Sequence, residues 1–206
     1  MNSKLIAEDL NGDSFSFFKN IAKEKSLNII TGIVLNEGEQ IYNTAVHINS
    51  IGEIISIYKK IHPFTYSTED KNYNAGTQIE VSEIDEWKIG LTVCYDLRFP
   101  ELYRFYTKQR TELIVNIANW PVDRIEHWCC LLRARAIENQ CYVVGVNRVG
   151  DTGNIKYNGW SSVYDSMGNE IIGIENEEGI FFTEINIVDV KKTRNSLPFL
   201  DDIKMI

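Results

Sequence analysis

Apolar and polar positions along this chain follow two rhythms, and the changes between them mark out its elements. Residues 1–12 are polar and read as a loop. From Asp13 or Ser14, either of which can cap a helix, the spacing of Phe17, Phe18, Ile21 and Ala22 predicts a helix to about Lys25 with those side chains on one face. Asn28 to Leu35 reads as a strand; the turn Asn36-Glu37-Gly38-Glu39 follows, and Ile41 to Ile48 reads as its hairpin partner. Gly52 interrupts before a third strand, Glu53 to Tyr58. A polar, irregular stretch, Lys59 to Thr77, comes next, and a loop of that length is either functional or flexible.

The middle of the chain is more apolar. A strand at Gln78 to Ser82 turns near Asp85-Glu86 into the β-branched run Trp87 to Cys94, which has the composition of a buried strand. A short polar corner follows, and Pro100-Glu101 opens a helix to about Gln109. Proline suits the first helical turn, and an early glutamate suits the positive end of the helix dipole. A strongly apolar strand, Glu112 to Ala118, ends in the loop Asn119-Trp120-Pro121. A long helix runs from about Arg124 to Asn139 and contains Trp128, Leu131, Leu132, Arg135 and Ile137; the buried strand Cys141 to Asn147 follows it. The polar stretch Arg148 to Asn158 reads as a loop. A meander comes after it: Trp160–Tyr164, the turn Ser166-Met167-Gly168-Asn169, Glu170–Ile174 and Gly179–Asn186. A last helix, about Val188–Arg194, ends near Pro198. Hairpins at both ends with strand–helix alternation between them predict α/β layers covering at least one sheet.

Composition narrows the setting. A chain of 206 residues supports one well-cored domain and requires no second. A net charge of −8 without a long basic run argues against nucleic acid or an anionic membrane as partner. No apolar stretch reaches membrane-spanning length, and the first residues lack the apolar core of a signal peptide, so a cytoplasmic location is expected. The four cysteines, Cys94, Cys129, Cys130 and Cys141, show no paired CxxC spacing, which speaks against a zinc site and a disulfide framework.

Cys94 closes an apolar strand and precedes a helix, a place where α/β folds often carry chemistry. On this segment alone a nucleophile and a buried structural cysteine stand level. A cysteine nucleophile needs a base or an environment that lowers its pKa, and donors for the oxyanion formed when it attacks a carbonyl or nitrile carbon. Lys60, His62 and Glu69 all lie in the one loop upstream of Cys94. His62 invites a Cys–His protease reading, but it stands next to Pro63, and no local protease signature surrounds Cys94.

Taken together, Lys60-Ile61-His62, Glu69 and Cys94-Tyr95-Asp96-Leu97-Arg98-Phe99-Pro100-Glu101 resemble the core of the nitrilase superfamily of carbon–nitrogen hydrolases, and most of all its omega-amidase-like branch. Ala118-Asn119-Trp120-Pro121, His127-Trp128, Arg133 to Gln140, Gly145 to Gly150 and Pro198-Phe199-Leu200 fit as well, so the resemblance covers essentially the whole chain. It implies an αββα sandwich of two mixed sheets flanked by helices, a single domain over residues 1–206, and pairing into a homodimer through helices. It implies a small carboxylate-bearing amide as substrate, ammonia as product, and neither cofactor nor metal. Residue by residue, Cys94 matches the nucleophile, Lys60 the lysine that stabilises the oxyanion, and Glu69 the glutamate that positions lysine and substrate. The Tyr95 N–H would be a further oxyanion donor, with Asn119 and Trp120 lining the pocket. Trp128 is expected to pack, and Arg133, Arg135 and Glu138 to serve structure, Arg135 and Glu138 as an i,i+3 pair.

One part of the family pattern has no match. The family's third catalytic group is a glutamate in a Pro-Glu segment at the end of an early strand. Here the sole Pro-Glu is Pro100-Glu101, which belongs to the nucleophile motif, and Met1-Asn2-Ser3 aligns just after the expected segment. Glu8, in a polar loop without a preceding apolar strand, is a poor substitute. The domain is therefore expected to be N-terminally incomplete. The alternative to an amidase is a catalytically impaired relative with a binding role or no independent role.

Overall fold

The computed structural model describes residues 3–205. The first half of the chain builds a small antiparallel sheet, β1 (Ile29–Glu37), β2 (Gln40–Ile48) and β3 (Ile54–Lys59), in the order β1-β2-β3. The β1–β2 hairpin closes at Glu37↔Gln40, and Gly38 takes the positive φ of 68° that such a tight turn needs. Because β2 is the central strand and is covered on both faces, Thr44 to Ile48 are buried without alternation. α1 (Asp13–Lys25) lies on one face and packs Phe15 and Ala22 against Ile33, Leu35, Tyr42, Val46 and Ile48.

The second sheet is mixed. β4 (Val81–Ile84), β5 (Trp87–Val93), β6 (Leu113–Ala118), β7 (Tyr142–Asn147), β9 (Ile155–Tyr164) and β10 (Glu170–Glu175) run in the order β10-β9-β7-β6-β5-β4, and β8 (Val149–Thr152) pairs with β9. β5, β6 and β7 are parallel, which explains their unbroken apolar runs: both faces are covered. Ala45 and Tyr58 of the small sheet meet Ile89, Leu91, Val93, Leu113 and Val115 of the large one in the layer between them. On the far face, α2 (Pro100–Lys108) and α3 (Ile125–Asn139) bury Leu102, Tyr103, Tyr106, Trp128, Leu132 and Ala136 against Ile114, Val143 and Tyr164. The layers read helix, sheet, sheet, helix, the sandwich expected. Arg135 bonds Glu138 at 2.8 Å and the Leu97 carbonyl through two further nitrogens, tying α3 to the corner after β5. α4 (Ile187–Ser196) closes the chain's last turn, with Arg194 reaching the carbonyls of Gln140 and Thr111. Among the described residues no helix is long and apolar enough to cross a membrane.

Several expectations need correction. Residues 3–12 are not plain loop: Ser3–Leu5 form a 3-10 turn, and Glu8 makes an isolated parallel bridge to Leu35; residues 1 and 2 lie outside the described residues. Neither Asp13 nor Ser14 caps α1. Gly12 is the cap residue, and the Glu8 carboxylate accepts from the Ser14 N–H at 2.8 Å and from its hydroxyl. The buried stripe of α1 is Phe15, Phe18 and Ala22 at helical spacing, which turns Phe17 outward to 58% exposure. The strand placed at Gln78–Ser82 begins later, at Val81. Arg148–Asn158 is a hairpin, not a loop: β8 and β9 meet at Thr152↔Ile155 around Gly153, and the exposed faces explain the polar composition. Gly179–Asn186 forms no strand; Ile180 and Phe182 stand exposed there.

Between the sheets, His47 is fully buried, its two ring nitrogens paired with Ser82 Oγ and Asn28 Oδ1. Burial pushes its imidazole pKa down. The unfolded chain therefore binds this proton more readily, so the site's contribution to stability is full above about pH 6.5 and is lost as pH falls towards the folded value. Urea unfolding between pH 8 and pH 5 should show this as a declining midpoint, and His47→Gln should flatten that part of the decline. An identical pH slope in the variant would show that His47 carries none of it.

Candidate active site

At the carboxyl end of β5 the backbone bends sharply at Cys94, which holds the left-handed φ of 49°. For a residue with a Cβ this conformation is uncommon and costs of order 1 kcal/mol, so neighbouring structure must hold it. Asn116, a polar residue inside the apolar β6, does so: its Oδ1 accepts the Cys94 N–H at 3.0 Å, and its Nδ2 donates to Thr92 Oγ1 and the Tyr103 hydroxyl. The chain continues as a 3-10 turn, Cys94–Arg98, before Pro100 starts α2.

Asp96, in that turn, is fully buried and accepts from the Val93 N–H (3.0 Å), the Tyr58 hydroxyl (2.9 Å), the His62 N–H (3.1 Å) and the His62 ring at Nδ1 (2.8 Å). His62 also stacks on Phe99 with ring centroids 3.7 Å apart. These contacts fasten the loop after β3 to the nucleophile corner. They also give His62 a partner, Asp96, different from the Cys94 pairing that a protease reading requires.

Lys60 stands where that loop leaves β3 and is 3% exposed. Its N–H bonds the Asn43 carbonyl and its own carbonyl accepts the Gly76 N–H, so the two ends of the loop are pinned together. Gly76 permits the approach: a Cβ there would lie 2.1 Å from the Lys59 carbonyl oxygen. The loop is therefore ordered by hydrogen bonds and by two 3-10 turns, Thr65–Ser67 and Glu69–Lys71. The Lys60 ammonium meets Glu69 Oε2 at 2.6 Å. Glu69 also accepts from Asn43 Nδ2 at 2.9 Å and the Phe64 N–H at 2.6 Å. Burial pushes the Glu69 carboxyl up, but the Lys60 charge and these hydrogen bonds outweigh it and hold the pKa below its ordinary value.

Lys60 and Glu69 both act on the Cys94 thiol. Burial is the largest influence and raises its pKa; the Lys60 charge and the backbone N–H of Asn119 pull it down, while Glu69 and Asp96 push it up. The net direction is upward, so the resting group is a thiol. The loop and the strand end thus bring Cys94, Lys60 and Glu69 together. Tyr95 is beside them, its ring 4.7 Å from Phe64 and 5.1 Å from Phe99. Asn119 is exposed at the end of β6. Trp120 is 3% exposed, bonds the Arg124 carbonyl through its indole N–H, and lies 5.5 Å from the Trp128 ring. Two cations lie against these rings: the Arg98 guanidinium is 4.8 Å over the Trp120 ring, and that of Arg124 is 5.9 Å from Phe64.

Reading from sequence missed Asp96, Asn116 and Asn43. Asn116 left a signal, a lone amide within Leu-Ile-Val-Asn-Ile-Ala; Asp96 and Asn43 left none that local pattern could separate from ordinary surface polarity. Among the described residues no group of three or more histidine, cysteine or acidic side chains is arranged to hold a metal ion.

A thiol, a buried ammonium and a carboxylate in electrostatic contact can carry out acyl transfer through a covalent intermediate. Comparison with known proteins bears on this. The model of the carbon–nitrogen hydrolase family matches residues 3–195. The protein called hydrolase in agr operon of Staphylococcus aureus is 36% identical over 198 residues, covering 94% of this chain and 76% of that protein. The 2-oxoglutaramate amidase of Bacillus subtilis is 34% identical over 200 residues, covering 97% and 77%. Among solved structures, a carbon–nitrogen hydrolase superfamily protein of Xanthomonas campestris, determined with an arsenic adduct in its active site, superposes with a TM-score of 0.92 at 33% identity, covering 97% of this chain and 78% of that one.

Proposed function

The chain belongs to the carbon–nitrogen hydrolase family, and from that premise we propose that it is a cysteine-dependent amidase acting on a small carboxylate-bearing amide. The observation that carries this reading is the buried Lys60–Glu69 pair acting on Cys94. Cys94 Sγ attacks the amide carbon as its proton passes, through water, towards the amide nitrogen. The carbonyl oxygen becomes an oxyanion facing the Lys60 ammonium and the Tyr95 N–H. Collapse breaks the C–N bond, the nitrogen takes up the proton and leaves as ammonia, and a thioester remains on Cys94. Water then adds to the thioester carbon, giving the free acid and restoring the thiol. Glu69 holds the Lys60 ammonium in place at 2.6 Å. The acid-bearing substrate is supported by the name of the Bacillus subtilis relative and by the cations Arg98 and Arg124 against Trp120 and Phe64.

The test pairs a ω-amide of a short dicarboxylic acid with a neutral amide of equal length and follows ammonia release. The acidic substrate should be hydrolysed with the higher kcat/KM, and hydroxylamine should divert its acyl group to a hydroxamate by intercepting the thioester. Arg98→Gln should raise KM for the acidic amide and leave the neutral one unchanged. Equal kcat/KM for the two amides, or ammonia release without a trappable acyl group, would overturn the corresponding part.

A second reading, an impaired catalyst, has its own support. The thiol is held protonated, and the carboxylates that bear on it most, Glu69 and Asp96, are already engaged by their donors. Lack of a general base costs roughly 10²–10⁴-fold. Added formate or acetate should then accelerate turnover by the 206-residue chain; no acceleration at all favours a base already in place.

A further inference from the structure

Asn43 lies near the start of β2, on the face it shares with Ala45, which is turned to the large sheet. Its backbone is held on one side by pairing with Val34 of β1. On the other side the β2–β3 ladder ends at Thr44↔Lys59, and one step further the Lys60 N–H still donates to the Asn43 carbonyl at 2.9 Å. The Asn43 side chain reaches the other member of the buried ion pair: its Nδ2 donates to Glu69 Oε1 at 2.9 Å. Lys60 Nζ donates to Glu69 Oε2 at 2.6 Å, so three contacts close a ring through Asn43, Lys60 and Glu69. The two donors to Glu69 Oε2 supply no fixed reference. The Phe64 N–H belongs to the same loop and moves with it, and the Lys60 ammonium ends a flexible four-carbon stem. The Asn43 amide stands on a strand whose backbone is bonded on both sides, and it is this amide that ties Glu69 to the sheet.

We propose that Asn43 is a positioning residue: its carbonyl sets the Lys60 backbone and its amide sets Glu69, so that ammonium and carboxylate meet in one geometry with the carboxylate ionised. An amide is the group this place requires. It donates to Oε1 without bringing a charge, whereas an aspartate would set a second carboxylate against the first, and an alanine would leave Oε1 without this donor. The value of the geometry to turnover rests on the reading of Lys60 as the partner of the oxyanion, but the geometry itself can be measured without turnover.

The measurement is the titration of the Glu69 carboxyl itself, by NMR of the full chain carrying carboxyl-labelled glutamate, with the Glu69 signal identified by its absence in Glu69→Gln. Lys60, Tyr73 and Cys94 are titratable groups whose charge couples to Glu69, and burial pushes Tyr73 and Cys94 up, away from the acidic range scanned. Asn43→Ala should move the Glu69 midpoint upward by roughly half to one pH unit, the worth of one hydrogen bond to the charged form. Asn43→Asp should move it further, since neighbouring carboxyls disfavour each other's ionisation. Asn74→Ala is the control. Asn74 fastens the same loop to β2, its Oδ1 accepting the Ile41 N–H at 3.0 Å, so its loss loosens the loop and should leave the midpoint in place. An unchanged midpoint in either folded Asn43 variant, an equal shift in Asn74→Ala, or failure of both Asn43 variants to fold by circular dichroism overturns the proposal; in the last case the role is structural. In an active chain the acidic limb of kcat/KM should rise with the carboxyl midpoint in Asn43→Ala, and a limb that stays in place removes Asn43 from the reaction. A chain that hydrolyses no amide would refute the amidase reading and leave the titration result standing.

Discussion

Cys94→Ala is expected to abolish ammonia release from any amide this chain hydrolyses. Without the sulfur there is no atom at the end of β5 to form the thioester, and loss of a covalent nucleophile costs on the order of 10⁵–10⁶-fold. The fold should survive, because the substitution leaves the Asn116 bond to the residue 94 N–H and the Asp96 network intact. A coupled ammonia assay on protein with an unchanged circular dichroism spectrum checks this. Turnover above roughly a hundredth of the parent rate is what loss of acid–base assistance alone would leave, and would remove Cys94 from the role.

Lys60→Met carries the next largest effect, on two quantities that separate. Removing one partner of a buried ion pair leaves the other charge uncompensated, and the Glu69 side chain is only 12% exposed. The expected cost is about 3–5 kcal/mol by urea unfolding. Turnover should fall by at least about 10²–10³-fold, the loss associated with one oxyanion donor. The pH dependence identifies the cause. In the parent chain the depressed Glu69 pKa gives stability above the unfolded value, about 4.3, that is lost as pH falls through the folded one. In the variant, burial acts without the ammonium and raises the same pKa, so acid neutralises an unfavourable charge. The gap between the two midpoints should therefore narrow as pH falls from 7 to 4. Lys60→Met with Glu69→Gln should recover most of the stability and none of the turnover. A double variant that turns over normally would exclude the oxyanion role for Lys60.

Much of the architecture was legible because it depends on short-range spacing. The apolar runs of β5, β6 and β7, the Gly38 turn and Pro100 at the start of α2 each announce themselves within a few residues. The misses have the same root. β8 and the first residues of β9 are polar because they meet solvent, so their hairpin looks like a loop, whereas Ile180 and Phe182 look like strand residues but pair with no strand among the described residues. Phe17 and Phe15 are indistinguishable by type, and only the angle around α1 decides which faces the sheet.

The site divides along the same line. By itself the sequence determined which chemistry was on offer: a cysteine at the end of a buried strand, a lysine and a glutamate in one preceding loop, and motifs that place them in the carbon–nitrogen hydrolase family. Tertiary structure decided what those groups are. It set Cys94 in a left-handed backbone held by Asn116, 22 residues away; it gave Glu69 to Asn43, 26 residues away, as well as to Lys60; and it gave Asp96 to Tyr58, 38 residues away. Charge state and aim follow from burial and from such partners. Both are non-local quantities, fixed only when the two sheets close on each other and exclude water from between them.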